Sequence, residues 1–168
     1  MRDHETLPRL PANHVPLTPL SFLLRSACVY PDRVAVIHGA RRFTYAELLE
    51  RCRRLASVLA GTGIAPGDTV AVLAPNIPEM LEAHYGVPMA GAVLLTVNIR
   101  LDAAAVGFIL SHSGARLLIV DREWGAVARA ALADLPAPPS RGGDRRSGGR
   151  GTGRNARRHR LRGVPRLR

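Results

Sequence analysis

Three histidines are the first residues to consider for catalysis, because an imidazole can act as a general acid or base near neutral pH. His38, His84 and His112 fall in three different predicted elements. No serine or cysteine occurs in the strand–turn–helix context of a nucleophile elbow. The sequence therefore predicts no triad of nucleophile, histidine and acid.

Two pairs of carboxylates have a spacing that would suit acid–base chemistry. Glu79 and Glu82 are three residues apart and share one face of a predicted helix, while Asp121 and Glu123 flank the end of a predicted strand. Such pairs are usually solvated or cap helices, and we expect that role for both. We assign no catalytic residue, no cofactor-binding residue and no metal ligand.

The cysteines and glycines do not add a site. Cys28 and Cys52 lie in helix-like segments without partners at metal-ligand spacing, so we expect two small buried side chains. The glycines between Gly61 and Gly67 resemble a dinucleotide fingerprint, but Pro66 replaces the third glycine and the segment follows a helix. All 24 strong bases are arginine, so a lysine-containing phosphate loop is excluded.

Hydrophobic periodicity predicts alternating helices and strands. Thr18 precedes Pro19 at one helix start, Thr44 and Glu47 have the spacing of a capping box, and Asn76 and Asp102 are expected to cap two further helices. In chain order we expect a helix over residues 18–30, a hairpin of strands 34–37 and 41–44, a helix over 44–60, a strand over 68–74, a helix over 76–89, a strand over 92–97, a helix over 102–111, a strand over 116–121 and a helix over 123–135.

Strands that alternate with helices of about ten residues are typical of right-handed crossovers onto a parallel sheet. We predict an α/β fold, a partial doubly wound and mostly parallel sheet with flanking helices. Such sheets carry many chemistries, so the fold class alone names no function.

Charge divides the chain near residue 139. Residues 1–139 contain 13 arginines and 12 acidic residues, whereas residues 140–168 contain 11 arginines and a single acid, Asp144, a net charge of +10. Residues 140–168 contain only three large aliphatic side chains, those of Leu161, Val164 and Leu167. Burying so few apolar groups does not offset the entropy lost when the segment becomes ordered. We expect a flexible segment over residues 1–16, a folded domain over 17–135 and a disordered basic tail over 136–168.

The sequence does not suggest export or a membrane span. The first residues lack the apolar run of a secretory signal, and the longest weakly polar stretch, residues 87–97, is much shorter than the ~20 residues of a span. We expect a soluble, cytoplasmic protein.

Several segments together resemble the amino-terminal portion of the AMP-forming acyl-CoA synthetases, the adenylate-forming ligase superfamily. Two of them are Arg42-Phe-Thr-Tyr-Ala-Glu-Leu48 and Gly67-Asp-Thr-Val-Ala-Val-Leu-Ala-Pro-Asn76. The others lie at residues 30–37, 88–93, 98–101 and 108–112, in the family's order and spacing. The resemblance covers residues 17–135, and fatty-acyl or related carboxylic-acid ligases are the most similar branch.

The resemblance implies a parent reaction in which a carboxylic acid and ATP form an acyl-adenylate, after which the acyl group passes to coenzyme A. The family uses ATP, Mg²⁺ and coenzyme A, with a glycine-rich phosphate loop and a lysine that stabilise charge on phosphate. This sequence contains neither the loop nor a lysine. We therefore expect a truncated ligase that is inactive alone and binds no cofactor, and no family catalytic residue is carried over to a position here.

The basic tail allows three interpretations. Arginine, glycine and proline dominate GC-rich DNA translated out of frame, so a frameshift that ended a ligase reading frame is the leading hypothesis. Arginine–glycine segments also bind RNA, but residues 140–168 contain no aromatic residue to stack on a base, which favours only weak, nonspecific binding to polyanions. A third alternative is a module that docks on a full-length ligase, although a sheet without its later strands is expected to leave an unpaired edge and an uncovered apolar face.

Overall fold

A computed structural model describes residues 18–133 together with Leu10, His14 and Leu135. The predictions of a disordered tail over residues 136–168 and of a flexible segment over residues 1–16 fall, apart from Leu10 and His14, outside these described residues. The alternating helices and strands that the periodicity predicted are all present. They are α1 (Pro19–Val29), β1 (Val34–His38), β2 (Arg41–Thr44), α2 (Tyr45–Gly61), β3 (Thr69–Leu73), α3 (Pro78–Met89), β4 (Val93–Thr96), α4 (Ala103–His112), β5 (Leu117–Val120) and α5 (Gly125–Ala133).

Three of the four predicted helix caps are confirmed. The Thr18 hydroxyl accepts from the Leu20 amide, Thr44 and Glu47 form the reciprocal capping box, and Asp102 accepts from the Ala105 amide. The fourth prediction, a cap by Asn76, is wrong. The residue before α3 is Ile77, which makes no side-chain cap, and Pro78 fills the first helical position, where no amide donor is needed.

The strands form two separate sheets. β1 and β2 pair as an antiparallel hairpin around a turn in which Gly39 has a φ of 59°, a left-handed conformation that glycine tolerates. β3, β4 and β5 form a parallel sheet in the order β4-β3-β5. The chain thus crosses from β3 to β4 on one side and returns to the other side of β3 with β5, as in a doubly wound fold. The predicted α/β class is confirmed.

Helices cover both faces of the parallel sheet. Alternate residues of β3 and β5 point to opposite faces, as the pleat of a strand requires. On one face they pack with α2 and α3, through Leu59, Met80, Ala83 and Val87. On the other they pack with α4 and α5, through Val106, Leu110, Ala128 and Ala131. In the part of the chain that the structure describes, the expected uncovered face of the sheet is therefore wrong, whereas β4 and β5 are edge strands that each pair with β3 alone.

Two glycines allow neighbouring helices to approach closely. A Cβ atom on Gly86 of α3 would lie 2.8 Å from Cδ2 of Leu55 and 3.0 Å from the carbonyl oxygen of Cys52, both on α2. A Cβ atom on Gly107 of α4 would lie 3.1 Å from the carbonyl oxygen of Ala131 on α5. The 2.8 Å contact at Gly86 could not form without a shift, and the 3.1 Å contact at Gly107 is tighter than most Cβ contacts, so glycine favours the close spacing of both helix pairs.

Two further expectations need correction. Cys28 is exposed, because it lies on the outer face of α1, whereas Cys52 is buried as expected. The last helix does not begin at Glu123: residues 122–124 form a short 3₁₀ turn capped by Asp121, and α5 starts at Gly125. The apolar periodicity of this region fits either helix type, so it did not locate the change.

Candidate functional site

Two adjoining clefts open beside α3 at the carboxyl edge of the parallel sheet, and a separate cleft of about 500 Å³ opens where β5 ends, lined by Val120, Asp121, Arg122, Gly125, Ala128, Arg129 and Leu132. Ligands of doubly wound folds usually bind at this edge. The first cleft, of about 510 Å³, is lined by Pro19, Val36, Ile37, His38, Asn76, Ile77, Pro78, Met80, Leu81, His84 and Tyr85. The second, of about 400 Å³, is lined by Ala74, Pro75, Asn76, Met80, His84, Thr96, Val97, Asn98 and Ile99. The first and second clefts meet at Asn76, Met80 and His84.

The first cleft brings together two histidines that lie far apart in the sequence. His38 ends β1 and His84 lies on α3, and both line the cleft. His112 lies elsewhere, at the end of α4, where its ring stacks on Phe108 with 5.6 Å between centroids. The lining of the first cleft contains no serine, threonine or cysteine, and the hydroxyl groups among the residues lining the two clefts are those of Tyr85 and Thr96.

The hydrogen bond of His84 fixes which ring nitrogen faces outward. Its Nδ1 lies 2.8 Å from the carbonyl oxygen of Met80. A carbonyl oxygen only accepts, so Nδ1 carries the proton in this bond and Nε2 is left for other partners. His84 lines both clefts, and Nε2 is the ring nitrogen that this bond leaves available.

The paired carboxylates of α3 are buried, which contradicts the expectation that they are solvated or cap a helix. Glu79 and Glu82 are each 7% exposed. Glu79 accepts hydrogen bonds from the guanidinium of Arg41 on β2, and Glu82 accepts one from Nε of Arg51 on α2. Arg51 also lies 3.8 Å from Glu79, so the four side chains form one network that joins the hairpin, α2 and α3.

Arg51 is half-buried, although the neighbouring residues Glu50, Arg53 and Arg54 are charged and exposed. Its guanidinium lies 4.9 Å from the centroid of the Phe43 ring, while that of Arg41 lies 5.2 Å from the same centroid. These distances suit cation–π contacts. The two arginines thus pair with two buried acids and both contact the Phe43 ring.

Electrostatics stabilise the charged form of this network. Burial opposes ionisation of Glu79, but the hydrogen bond from Arg41, a backbone hydrogen bond and the charges of Arg41 and Arg51 together lower its pKa. The hydrogen bond to Glu79 raises the pKa of Arg41. Glu79 is therefore held as a charged partner of Arg41, which favours a structural role for this pair.

The other candidate residues have structural roles. Asp121 accepts a hydrogen bond from the Glu123 amide at 3.0 Å and so caps the 3₁₀ turn, as expected for this pair. Burial, followed by the charge of Glu82, raises the pKa of the Cys52 thiol to about 12, which leaves it protonated and unreactive. Gly63 and Gly67 have φ values of 84° in the connection from α2 to β3 and serve as turn residues.

The described residues were also compared with the patterns of a metal site and of a membrane-spanning helix. No three histidine, cysteine, aspartate or glutamate side chains come together there as a set of metal ligands. None of the helices in the same part of the chain is long and apolar enough to cross a bilayer.

Sequence reasoning missed two features of the carboxyl edge. The His38–His84 approach depends on how the hairpin packs against α3, which no local pattern encodes. The burial of Glu79 and Glu82 left a weak signal, since both acids occur in a helix whose other residues are mostly apolar, Pro78, Met80, Ala83, Gly86 and Val87.

Comparisons with known proteins agree with the resemblance read from the sequence. Residues 23–145 match the family described as AMP-binding enzyme. The chain is 56% identical over 131 residues to acetate/butyrate–CoA ligase AAE7 of Arabidopsis thaliana, which is described as peroxisomal, covering 78% of this chain and 23% of that protein. It is 50% identical over 128 residues to a peroxisomal trans-cinnamate:CoA ligase of Petunia hybrida, covering 76% of this chain and 22% of the relative.

A solved structure shows the same relationship in three dimensions. The structure titled fatty acyl CoA synthetase from Mycobacterium tuberculosis superposes with a TM-score of 0.65 at 38% identity. The match covers 71% of this chain and 24% of that one. The chain thus spans about a quarter of the length of the curated relatives it matches.

Proposed function

The chain belongs to the AMP-binding enzyme family, and on that premise we propose that residues 17–135 are the structural beginning of an AMP-forming acyl-CoA ligase. The parent enzyme would join a carboxylic acid to ATP as an acyl-adenylate and then transfer the acyl group to coenzyme A. The observation that carries this proposal is the high identity to an acetate/butyrate–CoA ligase over most of the chain.

We propose that these residues supply scaffold and none of the nucleotide chemistry. Phosphoryl and adenylyl transfer need cations and donors placed around phosphate. The sequence contains no lysine, and the linings of the two clefts beside α3 contain neither arginine nor acid, although the cleft at the end of β5 is lined by Asp121, Arg122 and Arg129. The two clefts beside α3 therefore do not fit a site for ATP and Mg²⁺, and no step of the reaction is assigned to them.

Activity measurements test whether these residues carry out any of the reaction. Purified chain, incubated with ATP, Mg²⁺ and acetate, butyrate, cinnamate or a long-chain fatty acid, is expected to release no pyrophosphate above the rate without enzyme. The acetate/butyrate–CoA ligase of Arabidopsis serves as the positive control. Release of pyrophosphate that depends on the acid would contradict the proposal.

The acid used by the parent enzyme is proposed only as a class. The names of the similar plant proteins give acetate, butyrate and trans-cinnamate as acids, and a similar solved structure is titled a fatty acyl CoA synthetase. These names favour a monocarboxylic acid. Short-chain acids are favoured over cinnamate because the chain is 56% identical to the acetate/butyrate–CoA ligase and 50% identical to the trans-cinnamate:CoA ligase. A chimaera in which residues 18–133 replace the matching region of the Arabidopsis ligase is expected to keep activity with acetate and butyrate.

The cellular location also stays a proposal. The sequence favours the cytoplasm, whereas the two plant relatives named above are described as peroxisomal. Fractionation of cells that produce the chain decides between the two compartments, and recovery with peroxisomal matrix proteins would contradict the cytoplasmic prediction.

We further propose that residues 140–168 bind polyanions weakly and without sequence preference, and that the chain has no specific macromolecular partner. The support is their net charge of +10, which favours release of counterions from phosphate chains. Retention on single-stranded RNA is expected for the whole chain at low salt, and it is expected to fall steeply as salt is raised. Equal retention of a version that ends at Leu135 would contradict this proposal.

A further inference from the structure

The outer edge of β4 is left unpaired by the parallel sheet. β4 pairs with β3 alone, and the amides of Val93 and Val97 donate to carbonyl oxygens on the β3 side at 2.8 and 2.9 Å. Successive residues of a strand turn their backbone groups to opposite sides, so the N–H and C=O groups of Leu94 and Thr96 point away from β3. A further strand at this edge would therefore meet both donors and acceptors.

The other edges among the described strands are protected. None of the four residues of β5, the opposite edge strand, is more than 5% exposed. In the hairpin, β1 has an irregular register between Val34 and Val36, and β2 carries Arg41 and Arg42. Bulges and charges discourage pairing with another strand, and β4, with the sequence Val-Leu-Leu-Thr, has neither. Of the described strands, β4 thus has the edge most open to a partner.

The β4 edge is complementary to itself. When two β4 strands pair antiparallel about a two-fold axis at Leu95, Leu94 of one copy lies opposite Thr96 of the second copy, and the two residues exchange hydrogen bonds. On the face of the sheet that includes Leu95, Val93 then lies opposite Val97 of the second copy. Val93 is 53% exposed in the single chain, so this pairing removes apolar surface from water without bringing like charges together.

We propose that the chain forms a two-fold dimer in which the β4 edges of two copies pair antiparallel and join two three-stranded sheets into one sheet of six strands. The contact is only four residues long on each side, so the dimer is weak and depends on concentration. The positive charges of residues 140–168 repel each other in the dimer, and salt screens this repulsion. The inference concerns self-association, does not require ligase activity and implies no other kind of macromolecular partner.

Analytical ultracentrifugation of the full chain measures the association. The average mass is expected to rise from the 18.1 kDa of one chain toward twice that value as the concentration is raised from about 5 µM to about 500 µM in about 0.3 M salt.

Hydrogen exchange locates the contact. The amides of Leu94 and Thr96 are expected to exchange about fivefold more slowly at the higher concentration, because they gain acceptors in the second copy. The amides of Val93 and Val97 are already bonded within one chain and are expected to change little. Exchange is followed by NMR, which resolves the individual amides.

Three variants test the assignment to β4. Thr96→Pro removes a donor that points away from β3 and is expected to abolish the rise in mass. Val93→Lys places a charge in the apolar part of the contact and is expected to weaken association several-fold. Its matched control is Val58→Lys on α2, also at a valine that is 53% exposed, and this change is expected to leave association unchanged. Circular dichroism checks folding, and if Thr96→Pro does not fold, the two lysine variants decide.

Several results would overturn the inference. They are a mass that stays at one chain throughout the range, or exchange at Leu94 and Thr96 that does not depend on concentration. Association that a folded Thr96→Pro leaves unchanged, or that Val93→Lys and Val58→Lys affect equally, would place the contact on another surface. A chain that stays monomeric alone but binds the Arabidopsis acetate/butyrate–CoA ligase through the same amides would assign the edge to a different partner. The ligase proposal is tested separately, because these measurements contain no ATP.

Discussion

The buried network of Arg41, Glu79, Arg51 and Glu82 gives the sharpest prediction about stability. We consider Arg41→Met, Glu79→Gln and the double variant as a thermodynamic cycle. The side chain of Glu79 is 6% exposed and that of Arg41 is 45% exposed. Hydrogen bonds between charged groups contribute about 1.5–3 kcal/mol, and the half-exposed arginine places this pair near the lower end. We expect a coupling energy of about 1.5 kcal/mol.

The cycle is measured by urea unfolding of the full chain, followed by circular dichroism at neutral pH. The control is Arg54 and Glu50, an i,i+4 pair on α2 whose side chains are 73% and 53% exposed. Its coupling is expected to be about 0.3–0.5 kcal/mol, because solvent screens both charges. Equal couplings for the two pairs would refute the conclusion that the Arg41–Glu79 pair is held in a buried network.

The same pair predicts a dependence on pH. Folding lowers the pKa of Glu79, so the unfolded chain takes up a proton first as the solution is acidified. The stabilisation is fully present above the unfolded pKa, about 4.3, and is lost as pH falls through the lower pKa of the folded state. Glu79→Gln lacks this component, so the stability difference between the variant and the native chain should shrink below about pH 4. A difference that stays constant down to pH 2 would contradict the assignment.

Three further predictions concern packing, thiols and caps. Gly86→Ala is expected to destabilise the chain by about 1–3 kcal/mol through overpacking, whereas Gly125→Ala, whose new methyl group meets nothing within 4 Å, should be neutral or slightly stabilising in urea unfolding. A thiol reagent should label Cys28 in the folded chain and Cys52 only after denaturation, and labelling of both thiols at one rate would contradict the buried position of Cys52. Thr44→Ala removes the capping box of α2 and should cost about 1 kcal/mol in the same unfolding assay; no loss would mean that the helix start does not depend on this cap.

Local patterns in the sequence were sufficient to predict the elements. Thr44 with Glu47 marks the start of α2 because the capping box satisfies two amides within four residues, and the apolar run of β3 marks a strand covered on both faces. Asn76 failed as a cap although its spacing was similar. Pro78 already removes a donor at that helix start, so a capping side chain has less to satisfy there.

Contacts between distant segments could not be predicted in the same way. Arg51 has the polar neighbours of a solvent-facing residue, and only the packing of α2 on α3 shows that it meets Glu82, 31 residues later. His38 and His84 likewise share a cleft because the hairpin lies against α3. Family resemblance supplied the ligase assignment that periodicity and spacing did not.

The measurement that tests the central claim most directly is pyrophosphate exchange into ATP by the purified full chain, with Mg²⁺ and a series of monocarboxylic acids. Because the basic segment could attract ATP nonspecifically, calorimetric titration with ATP accompanies it at low salt and at about 0.3 M salt. We expect no exchange and no ATP binding that survives the higher salt. Exchange that depends on the acid, or stoichiometric ATP binding that is insensitive to salt, would contradict the claim that residues 17–135 provide scaffold without a nucleotide site.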